Sequence, residues 1–336
     1  MASRYGKSLF TVIALVLIPQ VGSVCANDES APRSRERHVR FSYVTEIGPI
    51  DPNAQSLKIW ILLPREDAFQ HVTGISVESA LSSRIVDQKN DGNRLVFIEA
   101  KGQLPQTIVV KLSADVVRRQ ESADLRKAAA GRTEPIDGGS AEFLRPDALV
   151  PTTGRIAQVS AQLDDGSATP FEQARIIYEY VTSVMRYDKT GTGWGRGDAI
   201  YACDVRRGNC TDFHSLFIAL ARSRGIPARF TIGFPLGTDR ADKIPGYHCW
   251  AEFYAGGEWI PVDASEAWKH PARHDYYFGN LDADRIAFTR GRDLVLNPAQ
   301  AGEPLNYLIY PYVQIDGKAV SKDQIKNSFA YSDLTH

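Results

Sequence analysis

Gly208-Asn209-Cys210-Thr211-Asp212-Phe213-His214-Ser215-Leu216-Phe217 carries a helix start and a cysteine in the same turn. Asn209 is a strong N-cap residue, and Asp212 sits three positions on. Phe213, Leu216, Phe217 and Leu220 recur on one face, and Gly225 before Ile226-Pro227 supplies the stop. The spacing therefore predicts a helix that opens at Asn209 or Cys210. In its first turn, unpaired N–H groups and the helix dipole favour a thiolate and lower the thiol pKa. A structural cysteine more often lies mid-helix on the apolar face.

Downstream the pattern changes to strands. Ala228–Phe234, His248–Ala255 and Glu258–Asp263 are rich in apolar and aromatic residues, the last two flanking Gly256-Gly257. A two-residue hairpin turn there places Ala255 opposite Glu258, Trp250 opposite Asp263 and His248 opposite Ser265. Side chains alternate along a strand, so His248, Trp250, Asp263 and Ser265 share one face. His248 and Asp263 become diagonal neighbours, close enough for the carboxylate to orient the imidazole. The same parity sends Cys249 to the opposite face, away from the site. A thiolate at a helix start, a histidine that takes and returns its proton and an aspartate that fixes the tautomer suit acyl transfer through a thioester. His214, four residues after Cys210, is a rival base, but its phenylalanine neighbours favour a packing role.

Several ordered blocks carry a further signal. They are Gly208-Asn209-Cys210-Thr211-Asp212-Phe213, Ala221-Arg222, Gly225-Ile226-Pro227-Ala228-Arg229, Tyr247-His248-Cys249-Trp250-Ala251-Glu252 and Trp259-Ile260-Pro261-Val262-Asp263-Ala264. Over roughly residues 150–270 the chain resembles the bacterial transglutaminase-like superfamily. The resemblance implies a papain-like α+β core with Cys210 as nucleophile, His248 as base and Asp263 as orienter. It also implies an aromatic or amide side chain upstream of the cysteine that helps hold the oxyanion; Trp194 and Tyr201 are the candidates. Most bacterial members are regarded as cysteine peptidases or amidases, and protein cross-linking is less common. The calcium-binding features of animal transglutaminases are not recognisable, and the chain is expected to use no cofactor and no metal.

The rest of the chain divides around this core. Residues 1–26 read as a signal peptide: Arg4 and Lys7 precede an apolar run from Leu9 to Ile18, and Val24-Cys25-Ala26 fits a small-x-small cleavage site. The run is shorter than the about 20 residues needed to span a bilayer. Residues 27–38 read as a polar leader. Residues 39–117 read as a β-sandwich domain, with strands near Phe41–Thr45, Ser56–Pro64, Asn93–Ala100 and Thr107–Leu112, and the region before the core also resembles the leading domain of secreted members. A linker is expected over 118–150, the catalytic core over 151–320 and a polar tail over 321–336. Within the core, Ile156, Val159 and Leu163 share one helical face. Thr169-Pro170-Phe171-Glu172 opens a second helix with a capping box. Gly191, Gly193, Gly195 and Gly197 lack a phosphate-loop lysine and read as the wall of a cleft. Arg285, Arg292 and Asp293 read as a paired surface or interdomain network without a catalytic role.

Composition narrows the function. The chain has 336 residues, with 43% hydrophobic and 24% charged, an ordinary globular mixture. Net charge is −1, and removal of Arg4 and Lys7 with the signal leaves −3, which argues against nucleic acid as a partner. Four cysteines are too few for a disulfide scaffold. Signal removal takes Cys25 and leaves Cys203, Cys210 and Cys249, an odd number that implies at least one free thiol or an intermolecular pair. Cys203 and Cys249 are the candidate disulfide pair. A metal site built from Cys203, Cys210, His214, His248 and Cys249 is disfavoured, because no compact C-x-x-C knuckle is present. Asn209-Cys210-Thr211 is formally a glycosylation sequon, and a glycan there would block the site, so the bacterial periplasm fits better than a eukaryotic secretory route. The expectation is an exported cysteine hydrolase acting on peptide, protein or cell-wall amides, with no stable membrane insertion after cleavage. The alternatives are acyl transfer to a lysine amine, or a catalytically silent binding protein on the same fold.

Overall fold

The computed structural model describes residues 35–88, 92–130, 138–163, 166 and 169–334. The expected signal peptide, and the leader as far as residue 34, lie outside the described residues. Arg33–His336 form one compact unit.

The amino-terminal half is β-structure because its sequence alternates. In β1 (Glu36–Ile47) Val39, Phe41, Tyr43, Thr45 and Ile47 are buried while their neighbours face outward. After it come β2 (Ser56–Leu62), β3 (Gln70–Ser79), β4 (Ser83–Asp87), β5 (Arg94–Lys101) and β6 (Ile108–Arg119). These strands do not form a closed sandwich of their own. Two carboxy-terminal strands, β11 (Tyr312–Ile315) and β12 (Ile325–Asp333), complete both sheets. Among the described residues the first sheet has the order Ala241–Lys243, β12, β1, β6, β3, and the second Lys318–Ala319, β11, β2, β5, β4.

Three expected boundaries therefore change. The 321–336 tail is largely β12, paired antiparallel with β1 from Val39↔Asp333 to Ile47↔Ile325. The leader's last residues belong to β1, where Arg37 is buried and donates to Asp284 at 3.0 Å and Asp333 at 2.6 Å. The 118–150 linker contributes Glu121–Ser122, which pairs with Asn280–Leu281. Polar composition misleads in these segments because a strand with one face on the core buries only alternate side chains. In β12 these are Phe329 and Tyr331.

The middle of the chain supplies the helices: α1 (Arg155–Gln162), α2 (Pro170–Val184), α3 (Ala199–Val205) and α4 (Cys210–Ser223). The Thr169 capping box opens α2 as its sequence requires, with Thr169 Oγ1 accepting from Glu172 N–H. Every residue of α4 from Cys210 to Arg222 is buried. It is the central helix, packed against α1, α2 and α3 and against a four-stranded antiparallel sheet. That sheet has the order β9 (Glu258–Val262), β8 (His248–Ala255), β7 (Ala228–Pro235), β10 (Arg285–Arg290). Phe234 on β7 packs against Phe41 and Phe329 at 5.5 and 4.4 Å between ring centroids, joining this sheet to the first one.

Deleting residues after Gln324 should thus unfold more than a tail. Loss of the buried Phe329 and Tyr331 side chains alone removes about 3–6 kcal/mol, and the N–H and C=O groups of β1 lose their partners. The measurement is the urea midpoint of the shortened chain; an unchanged midpoint would contradict this role for β12.

Candidate active site

Cys210 occupies the first helical position of α4, and the turn before it is built tightly. Asn209 Oδ1 accepts from Thr211 N–H at 3.0 Å, and Asp212 Oδ2 accepts from Asn209 N–H at 2.9 Å. The buried Asp212 carboxylate also accepts from Gly195 N–H at 2.7 Å and Gly197 N–H at 3.1 Å, which ties the glycine-rich loop to the helix start. A Cβ on residue 208 would collide with this carboxylate, so Gly208 is dictated by the close approach. Cys210 itself is 1% exposed.

His248 begins β8 and Asp263 follows β9. The hairpin has the expected register, with Ala255↔Glu258, Phe253↔Ile260 and Ala251↔Val262. His248 Nε2 lies 2.7 Å from Asp263 Oδ2, which leaves the other ring nitrogen for the thiol. The pairing stops earlier than expected, however. β9 ends at Val262, and Asp263 becomes the N-cap of α5 (Ala264–Lys269), its Oδ1 accepting from Glu266 N–H at 3.0 Å. Ser265 is therefore not opposite His248; its hydroxyl donates to Asp263 Oδ1 at 3.1 Å. Helix capping, which a strand-parity argument does not contain, fixes the carboxylate more firmly than an extended strand would.

The expected place of Cys249 needs correction. Its Sγ lies 3.7 Å from His214 Nδ1, and it is near enough to the Cys210 thiol to shift its pKa. Strand parity separates Cys249 from His248, but α4 packs across the sheet, so a residue on the other face still meets the helix start. The proposed Cys203–Cys249 disulfide is absent: Cys203, Cys210 and Cys249 are all free and buried. Cys203 sits on α3 in the field of Arg155, in different surroundings from Cys249.

His214 is not a free base. Its Nε2 accepts from Ala264 N–H at 3.1 Å, so the ring proton is on Nδ1 and is donated to Cys210 O at 2.8 Å. Burial further lowers its pKa, against the nearby Asp263 charge. The neutral ring bridges the nucleophile's backbone to the cap of α5.

Arg285 departs most from the sequence reading. It is 3% exposed, and its Nη1 donates to Asp263 Oδ2 at 2.8 Å while its Nη2 donates to Asp282 at 3.2 Å. Arg292 is also buried and donates to Ser215 Oγ and Asn306 Oδ1, whereas the Asp293 carboxylate accepts from Ala148 N–H at 2.6 Å. Asp282 is a local partner three residues before Arg285, but nothing local marks the bond to Asp263, which comes from another segment. Of the two upstream aromatics, Trp194 donates its indole N–H to Gly191 O at 3.2 Å, and the Tyr201 ring lies against Gly193 with its hydroxyl buried and unpartnered.

The electrostatics favour an ion pair. Burial opposes charge on His248, but the charge and hydrogen bond of Asp263, with help from Cys210 and Glu266, raise its pKa to about 10. The Cys210 thiol is held well below 9.0 by a hydrogen bond from Cys249, against the effect of burial, and by the hydrogen bond and charge of His248. Burial works against the Asp263 carboxylate too, yet His248 and Arg285 hold it well below its usual range. Thiolate and imidazolium therefore coexist at neutral pH. The rate of iodoacetamide alkylation should be nearly flat from neutral pH upward and fall only in acid, as the thiolate is protonated. An ordinary thiol slows about tenfold per pH unit below its pKa of ~8.5. A rate that climbs steadily from pH 6 to 9 would rule out the ion pair.

Beside His248 opens a cleft of ≈ 220 Å³ lined by Tyr187, Leu236, Tyr247, Glu266 and Lys269 among others. The Lys269 ammonium lies 4.0 Å from the Tyr187 ring centroid and 2.7 Å from Glu266.

Residues 157–264 match the transglutaminase-like superfamily. A protein of Haemophilus influenzae, itself uncharacterized, is 25% identical over 91% of this chain and 94% of its own length. An uncharacterized protein of Mycobacterium leprae is 29% identical over 35% of this chain and 43% of its own. The solved structure of a candidate cysteine protease from Cytophaga hutchinsonii shares the fold, with a TM-score of 0.65 and 18% identity over 90% of this chain and 93% of that one. The mixed α and β architecture, with a helix-borne cysteine against an antiparallel sheet, is thus a transglutaminase-like core of papain-like fold.

Proposed function

With a transglutaminase-like domain spanning residues 157–264 as the premise, we propose that this protein is a cysteine-dependent acyl hydrolase acting on amide bonds of peptides, proteins or cell-wall material. One observation carries the reading: Cys210 starts a buried helix beside His248, whose Nε2 is held 2.7 Å from a carboxylate. Cys210 Sγ attacks the carbonyl carbon, and the C=O π pair moves to oxygen. As this intermediate collapses, the C–N bond breaks and the His248 imidazolium gives its proton to the departing amine. Water, deprotonated by the now neutral His248, then attacks the thioester and releases the acid with the thiol. Asp263 holds the imidazole in the required tautomer throughout.

Export is part of the proposal and rests on residues 1–26, with the bacterial periplasm as the destination. Among the described residues no helix is long and apolar enough to cross a membrane. The test of the chemistry is incubation with an electrophilic acyl ester followed by intact-mass and peptide mapping. The expected product is one acyl group on Cys210 that hydroxylamine removes. No adduct at Cys210 would overturn the reading. Adding a labelled primary amine distinguishes hydrolysis from acyl transfer: release of acid shows the former, and amide product the latter.

A further inference from the structure

We propose that Asn209 supplies the side-chain half of the oxyanion hole, its Nδ2–H acting together with the Cys210 backbone N–H on the negative oxygen of the tetrahedral intermediate. The inference rests on Cys210 being the nucleophile.

The first support is a division of labour within one amide. Asn209 Oδ1 is committed to the helix cap, accepting from Thr211 N–H at 3.0 Å and from Thr211 Oγ1 at 2.5 Å. With the oxygen turned into the helix, the amide nitrogen must point away from it. Nδ2 donates to the Tyr247 hydroxyl at 3.1 Å, and Tyr247 immediately precedes His248. The nitrogen is thereby placed between the residues that flank the nucleophile and the base.

The second support is the proton inventory. The Tyr247 ring lies 6.2 Å from that of Tyr307, whose hydroxyl donates to Gly195 O at 2.8 Å. One Nδ2–H of Asn209 is therefore used by the Tyr247 hydroxyl. The second Nδ2–H is not used. Among the described residues neither it nor the Cys210 N–H has an acceptor, although Asn209 is only 4% exposed and Cys210 1%. Buried N–H groups are normally paired, and two unpaired ones on adjacent residues suit an oxygen that carries charge only transiently.

In the acylation step the new C–S bond places a full negative charge on the former carbonyl oxygen. Both N–H groups receive it, and the charge returns to the carbonyl as the C–N bond breaks. The helix cap and the Tyr247 hydroxyl hold the amide in place beforehand, so no reorganisation is needed when the charge develops. Trp194 spends its indole N–H inside its own loop, which leaves Asn209 as the donor already set beside the nucleophile.

Asn209→Ser and Asn209→Asp both keep a good N-cap oxygen, and thermal melts check that each variant folds. Two reactions of the same thiol are then compared in the full chain. Acylation by p-nitrophenyl acetate passes through an oxyanion, whereas alkylation by iodoacetamide does not. The expected result is acylation slowed by about 10²–10³-fold, with the aspartate variant slower than the serine variant, and alkylation within a few-fold of wild type. Unchanged acylation would overturn the proposal, and so would an equal loss in both reactions, which would mark a structural role. A wild-type thiol that alkylates quickly but is never acylated would instead overturn the functional reading itself.

Discussion

Cys210→Ala is expected to abolish covalent acyl labelling and to lower turnover of an activated ester or amide by about 10⁴–10⁶-fold. The melting temperature should move by only a few degrees. The substitution removes the sulfur that forms the thioester, and no other group in the site replaces it. Cys249 is close, but its thiol is buried and its pKa is pushed well above the ordinary value by burial and by its hydrogen bond to Cys210. His214 has both ring nitrogens engaged. Stability should survive because alanine is a good residue for the first helical turn, and the cap formed by Asn209 and Asp212 does not use the thiol. Cys203→Ser, remote from the site on α3, is the matching control and should retain labelling. Equal labelling of wild type and Cys210→Ala would sink the assignment of the nucleophile.

Asp263→Asn is expected to cut turnover about 10⁴-fold and also to destabilise the fold by about 3–5 kcal/mol. The two effects have different causes. The activity falls because an amide at position 263 can donate to His248 Nε2 and so favour the wrong tautomer. The stability falls because buried Arg285 loses the Asp263 carboxylate that Nη1 bonds at 2.8 Å and is left with Asp282, at 3.2 Å, to balance its charge. The cap of α5 should persist, since asparagine is as good an N-cap as aspartate. Adding Arg285→Gln to Asp263→Asn removes the stranded charge. The double variant should regain much of the urea midpoint while its kcat stays low. Recovery of kcat together with stability would show that Asp263 acts only as a structural ion-pair partner.

Much of the site was legible because its signals are local. The N-cap Asn209, the return from Asp212 and the apolar face of Phe213, Leu216 and Phe217 all lie within one helix, where 3.6-residue geometry relates position to place. The hairpin is equally short-ranged. Once Gly256-Gly257 forms the turn, the register of β8 against β9 follows, and His248 and Asp263 arrive on one side. The readings that changed depended on other segments. Cys249 was sent away from the site by counting along its strand, yet α4 crosses that sheet and meets the opposite face. The polar run that becomes β12 has too few apolar residues to reveal itself, and its partner strand β1 stands almost the whole chain away.

The amino-acid sequence by itself therefore determined the fold class, the helix that presents Cys210 and the hairpin that carries His248 and leads to Asp263. Each is set by backbone geometry over about a dozen residues, within which turn and cap chemistry leave few options. Tertiary structure alone decided that Arg285 clamps Asp263, that His214 is a neutral bridge, that three cysteines stay free, and that the tail closes the first β-sheet. Those outcomes depend on which distant groups share a low-dielectric interior. There an unpaired charge is costly, and the partner that relieves the cost can come from any part of the chain.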